Sequence, residues 1–142
     1  MNDEKAVREA NLAFYRAFEA LELDQMDDAW AHDGQVTCAH PGWTLADGWE
    51  AVRRSWETIF ENTGTIEFEV SEERIDVRGD LAWVVCVERI HAGESEGAVL
   101  ATNVFRRDPA DGRWRMVHHH GSPFVPPPRP RGQRAGEKKI IN

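Results

Sequence analysis

Three consecutive histidines, His118, His119 and His120, lie in the stretch Trp114-Arg-Met-Val-His-His-His-Gly-Ser-Pro123. Imidazoles that titrate near neutral pH there meet the alternation of a β-strand. Successive strand side chains point to opposite faces, so His118 and His120 share one face with Trp114 and Met116, while His119 shares the other with Arg115 and Val117. With His40 as a third ligand, His118 and His120 have a spacing that an open zinc site permits. Any His-x-His strand has that spacing, however, and no Cys-x-x-Cys or His-Glu-x-x-His is present to support it, so neither a metal nor a cofactor is expected. Ser122 lacks the Gly-x-Ser-x-Gly elbow of an activated nucleophile. Cys38 and Cys86 lie in strand-like segments as small buried apolar groups. General acid–base work suits the chain better, because Tyr15, His40, Glu88 and His119 can converge if a sheet curls around a hollow.

Such convergence needs elements to position it. From Asn2 to about Glu22, Ala6, Ala10, Phe14, Ala17, Phe18 and Leu21 recur at the three- and four-residue spacing of an amphipathic helix, with Asn2 or Asp3 as its cap and Tyr15 bordering the stripe. A short second helix is expected behind Asp24 as cap, presenting Met26, Ala29 and Trp30 and ending at Asp33-Gly34. Gln35 to His40 reads as a strand broken by Pro41-Gly42. Asp47 and Glu50 have the spacing of a capping box, and Trp49, Val52, Trp56, Ile59 and Phe60 continue as a helical stripe. Between Thr65 and Arg78 the apolar parity switches from Ile66, Phe68 and Val70 to Ile75 and Val77, which predicts a bulge near Glu72 to Arg74. Strands over 81–91, 98–107 and 114–123 follow, separated by Gly- and Asp-rich turns. Helices followed by sequential strands indicate an α+β fold, with three helices on one face of an antiparallel sheet.

The chain has 142 residues and six tryptophans, enough for one domain with a substantial core. Residues 1–123 carry 12 basic and 24 acidic side chains, a net of −12, whereas 124–142 carry five basic and one acidic. A body so acidic repels phosphate backbones, so nucleic acid is not an expected partner. No stretch has the length of a membrane span, nor does the start resemble a signal peptide, so no membrane partner and a cytoplasmic location are expected. The Pro-rich basic segment 124–142 is expected to be an extended or disordered tail.

Several stretches resemble the nuclear transport factor 2-like superfamily, which includes ketosteroid isomerase, the SnoaL-like cyclases and the association domain of calcium/calmodulin-dependent kinase. These are Ala29-Trp-Ala-His-Asp-Gly34 followed by Val36 to Pro41, Thr102-Asn-Val-Phe-Arg-Arg-Asp108 with Asp111-Gly-Arg-Trp114, and Trp114-x-x-Val-His-x-His120-x-Ser122. The resemblance implies a cone-shaped curved sheet with helices on its concave face, an apolar cavity for a small molecule, and a homodimer through the convex face. It sets Tyr15 near the isomerase's helix tyrosine, His40 near its general-base aspartate and Asn103 at its oxyanion acid. Histidine is still a competent base there, and asparagine still donates a hydrogen bond but not an acidic one. The arginines of the kinase domain's pocket fall at Glu88, Asn103 and Gly121, so its carboxylate site is not inherited.

Two functions from different classes follow. One is an isomerase- or cyclase-like enzyme in which His40 abstracts a proton while Tyr15 and Asn103 stabilise the oxyanion. Its cavity would be lined by Glu88, Val117, His119, Trp43 and Trp56. The other is a non-catalytic ligand-binding or dimeric assembly module. Apolar content sets Trp114 and Met116, with His118 and His120, toward the core. The resemblance instead sets Val117 and His119 in the cavity and turns His118 and His120 outward to a dimer face shared with Trp83, Val85 and Val87.

Overall fold

The computed structural model describes residues 2–125, so the expected tail lies outside the described residues except for Phe124 and Val125. Helix α1 (Asp3–Ala20) starts at Asn2, whose side chain accepts from Lys5 N at 3.2 Å, and buries Val7, Asn11, Phe14, Tyr15, Ala17 and Phe18. Helix α2 (Leu23–Ala29) begins two residues earlier than expected. Glu22 takes the cap position without a side-chain bond, and Asp24 lies in the first turn, where its charge favours the helix dipole.

The capping box before α3 (Trp49–Glu61) is not formed. Gly48 occupies the cap position at φ 87, and its N–H donates to Val36 O at 2.8 Å. Asp47 is instead drawn into a two-residue strand, β2 (Ala46–Asp47), which pairs with β1 (Thr37–Ala39).

The remaining strands are β3 (Glu67–Arg78), β4 (Leu81–Ala92), β5 (Ser95–Arg107) and β6 (Trp114–Pro123). The six form one sheet in the order β2-β1-β6-β5-β4-β3. Neighbours are antiparallel except β1 and β6, whose parallel pairing sets Cys38 beside His119. The β4–β5 hairpin is tighter than the expected 92–97 loop, because Ala92 pairs with Ser95 across Gly93, which takes φ 64.

Two bulges decide which side chains meet the helices. In β3 the register shifts between Ser71 and Arg74, with Glu72 at φ 54, so Phe68 and Val70 before the shift and Ile75 and Val77 after it face the core together. In β6 the partners of Val104 and Phe105 are His118 and Met116, which leaves Val117 as an extra residue. Trp114 and Met116 therefore join His119 on the concave face, at 7%, 0% and 2% exposure. This corrects the unbroken parity that grouped Trp114 and Met116 with His118 and His120. A rigid period of two cannot hold across an inserted residue.

Helix α1 packs on β3, β4 and β6, and α3 on β1 and β2. Edge-on aromatic contacts fill the layer between helices and sheet, including Phe14 with Trp56 at 5.5 Å and Phe18 with Trp56 at 4.9 Å between centroids. On the convex face Val87 is buried and Trp83 and Val85 are half-buried, while Leu81 and Leu100 are exposed.

Candidate acid–base site

A buried hydrogen-bonded network crosses the middle of the concave face, with Asn103 of β5 at its hub. Asn103 Nδ2 donates to Asn11 Oδ1 at 2.8 Å and to the Tyr15 hydroxyl oxygen at 3.1 Å. With both amide protons so used, Asn103 Oδ1 is the acceptor facing His119 Nδ1 at 2.6 Å. Tyr15 donates to Glu88 Oε2 at 2.5 Å, and its oxygen lies 3.6 Å from Cys86 Sγ. Asn11 Nδ2 donates to Glu73 Oε2 at 3.1 Å, the inward reach of Glu73 following from the β3 bulge. Elements α1, β3, β4, β5 and β6 each supply a member.

Burial sets the electrostatics. Loss of water pushes the Glu88 carboxyl up to about 7, against the opposing pull of the Tyr15 hydroxyl, so the group divides between acid and base at neutral pH. Burial and the adjacent Glu88 raise the Tyr15 phenol well above its usual value. Burial lowers His119 well below the usual imidazole range, with the neighbouring histidines adding to it. His119 is therefore neutral, with its one ring proton on Nδ1 and its lone pair on Nε2.

His40 stands at the end nearer the surface, 5% exposed, with its ring 6.2 Å from that of His119 and 4.6 Å from that of Trp56. Ser55 Oγ donates to Val52 O at 2.6 Å, so His40 Nε2, 2.9 Å away, is the N–H that donates to Ser55. Ser55 thus gives its proton to the backbone rather than to His40, the reverse of a Ser–His nucleophile pair. Burial lowers His40 to about 4 and holds Cys38, whose sulfur lies 3.5 Å from His40 Nε2, far above a reactive thiol.

The structure thus joins Tyr15, Asn103, Glu88 and His119 directly and sets His40 and Trp56 beside them. Val117 is half-buried at its bulge, and Trp43 is 46% exposed, meeting His40 edge-on at 5.1 Å from outside the buried set. On the other face, His118 Nδ1 bonds Thr37 Oγ1 at 2.7 Å and His120 is exposed. Asn11 and Ser55 were not singled out in the sequence. Asn11 had a signal, since it lies three and four residues before Phe14 and Tyr15 on a face that is otherwise apolar. Among the described residues, no group of three or more His, Cys, Asp or Glu is placed to hold a metal ion.

The central members of the network are closed off from solvent. Asn11, Asn103 and Trp56 are fully buried, and Tyr15 is 1% exposed. A surface depression of about 330 Å³ lies elsewhere, between α1, α2 and the start of β6, and none of the network residues lines it. Gly121, on the same face as His119, is needed for packing: a Cβ there would lie 2.9 Å from Val99 Cγ1.

Residues 7–126 match the SnoaL-like domain family. The chain belongs to that family. Among solved relatives of this SnoaL-like domain is a Streptomyces avermitilis protein of the NTF2-like family described as a candidate dehydratase. It is 37% identical with a TM-score of 0.80, covering 87% of this chain and 96% of the other. A Thiobacillus denitrificans protein described as a candidate association domain of calcium/calmodulin-dependent protein kinase type II is 37% identical with a TM-score of 0.75, covering 82% and 93%. The F-box protein SKIP8 of Arabidopsis thaliana is 31% identical over 118 residues, 83% of this chain; the chain spans about half, 49%, of that relative. The matched fold is the NTF2-like α+β cone, and its family is one of ligand-binding or isomerase-type domains. No helix among the described residues is long and apolar enough to cross a membrane.

Proposed function

We propose that this SnoaL-like domain binds a small, mostly apolar, oxygen-bearing molecule between α1, α3 and the concave sheet face, and moves protons on it by acid–base chemistry that needs no cofactor. The observation that carries this reading is Glu88, a buried carboxyl poised near pH 7 and linked through Tyr15 and Asn103 to a neutral His119. Its ionisation controls the neighbouring donor. Ionised Glu88 holds the Tyr15 hydroxyl proton; protonated Glu88 donates to the Tyr15 oxygen instead and frees that proton for a ligand oxygen, while Asn103 keeps donating to the same Tyr15 oxygen. His40, neutral with its lone pair on Nδ1, is the base nearer the surface. The candidate-dehydratase relative supports elimination of water, an acid–base reaction, as one class that fits. Assembly as a homodimer through the convex face, where Leu81 and Leu100 stand exposed, belongs to the same proposal.

Deuterium exchange at the α-carbons of cyclohexanone, followed by proton NMR, tests the chemistry. The domain accelerates exchange saturably, and Glu88→Gln lowers the rate by about 10²-fold. No acceleration over buffer, together with no saturable quenching of tryptophan fluorescence, sinks the reading. That outcome favours a non-catalytic assembly module, for which the one supporting observation is that the donors of Tyr15 and Asn103 are already spent within the network.

A further inference from the structure

The buried network has a direction, and two of its members can impose one. Asparagine amides, the Tyr15 hydroxyl and a neutral imidazole each donate and accept, whereas an ionised carboxylate only accepts. Glu88 closes one end, and its charge divides near neutral pH. Glu73 closes the other, from the bulge where β3 loses its register with β4. Its Oε1 faces Arg8 Nε at 3.7 Å, and its Oε2 accepts from Asn11 Nδ2 at 3.1 Å, with the side chain 25% exposed.

We propose that Glu73 is the positioning residue that fixes which way each amide of this network points, and with them the nitrogen of His119 that keeps the proton. Each amide is set by the group before it. A carboxylate at Glu73 compels Asn11 to present its NH₂, which leaves Asn11 Oδ1 for Asn103. Asn103 must then present its own NH₂ to Asn11 and Tyr15, and so turns its Oδ1 to His119 Nδ1. Ionised Glu88 demands the same arrangement, because a Tyr15 that donates to it offers Asn103 only an acceptor. Protonated Glu88 demands nothing, and Glu73 then holds the direction by itself. In a reversed network Asn103 Oδ1 would face the Tyr15 hydroxyl and hold its proton. Glu73 thus keeps that proton from being spent on Asn103 when Glu88 releases it, a consequence that rests on the proposed acid–base function.

The ring proton of His119 reads this direction without any turnover. The full chain, labelled with ¹⁵N-histidine, is measured by long-range proton–nitrogen correlation at about pH 5.5, where Glu88 is mostly protonated and His40 mostly neutral. Wild type and Glu73→Gln carry the proton on Nδ1, since glutamine still offers Asn11 an oxygen. Glu73→Lys, whose side chain only donates, moves it to Nε2. Glu73→Leu offers nothing and raises the Nε2-protonated form about tenfold, the loss expected for one directing hydrogen bond. The leucine variant decides the matter if lysine beside Arg8 unfolds the domain. A proton that stays on Nδ1 in both variants overturns the proposal, as does one found on Nε2 in wild type. In the cyclohexanone exchange assay Glu73→Lys slows the rate about tenfold and Glu73→Gln recovers it. Equal rates despite a moved proton overturn the role assigned to the Tyr15 proton. Absence of exchange in wild type overturns the acid–base function and leaves the positioning of His119 standing on its spectrum.

Discussion

The concave interior and the rim around the β5–β6 turn both hold dense polar contacts, and they are built on opposite principles. At the rim, arginines face aspartates as full charges. Arg113 lies 3.0 Å from Asp28, Arg115 lies 2.7 Å from Asp111, and Arg107 lies 2.9 Å from Asp80. The hydrogen bond from Arg115 holds Asp111 down to about 2, and the one from Arg113 holds Asp28 below its usual range. Water competes for every member, so such pairs contribute little each. In the interior the shifts run the other way: Glu88 is driven toward its protonated form and His119 toward its neutral one. The same side-chain chemistry therefore yields solvated ion pairs where water is present and a near-neutral network of directed hydrogen bonds where it is not.

The sharpest way to break this comparison is Asn103→Leu. The substitution keeps approximate volume and strands Asn11, Tyr15 and His119 at once, so unfolding free energy by urea titration falls by about 4 kcal/mol. A loss no larger than that of a rim substitution would show that the network is not a unit.

Next in size is the pH dependence that Glu88 contributes. Its folded pKa, about 7, lies above the ordinary 4.5, so the folded state binds the proton more tightly. The contribution is fully present below about pH 4.5 and is lost as pH rises to about 7. His40, lowered from 6.5 to about 4, acts oppositely, with stability gained as pH rises through that window. The test is thus the difference between wild type and Glu88→Gln. The variant gains about 3 kcal/mol relative to wild type from pH 4.5 to 7, and a difference that does not vary with pH contradicts a buried, titrating Glu88.

Smallest is the rim. Arg113→Gln, which removes the pair with Asp28, leaves Tm within about 2 °C of wild type at physiological salt, measured by calorimetry. A larger fall would show that the rim pairs work as a cooperative set rather than as separate solvated contacts.

Elements were more legible in the sequence than the contacts between them. The stripe of α1, the phase change in β3 and the span of β6 followed from local periodicity, since each residue's tendency toward burial is written at its own position. Segment β2 was not legible, because two residues carry no period, and its pairing with β1 took Asp47 away from the cap it was expected to form. Tyr15, Glu88, Asn103 and His119 were named as candidates in the sequence. What they do to one another was not, because Tyr15 and Glu88 are 73 positions apart and Asn11 and Asn103 are 92.

The sequence by itself determined which of the longer segments become helix or strand and which residues seek the interior, since both depend on short spacings and side-chain type. Tertiary structure alone decided the facing of β6, where the extra residue Val117 brings Trp114, Met116 and His119 to one side. It alone decided the proton on His119, because that follows from an amide whose other bonds reach across the sheet to α1. The β6 bulge and the His119 tautomer are settled by partners distant in the chain, and unlike the phase change of β3 they leave no mark in the local pattern.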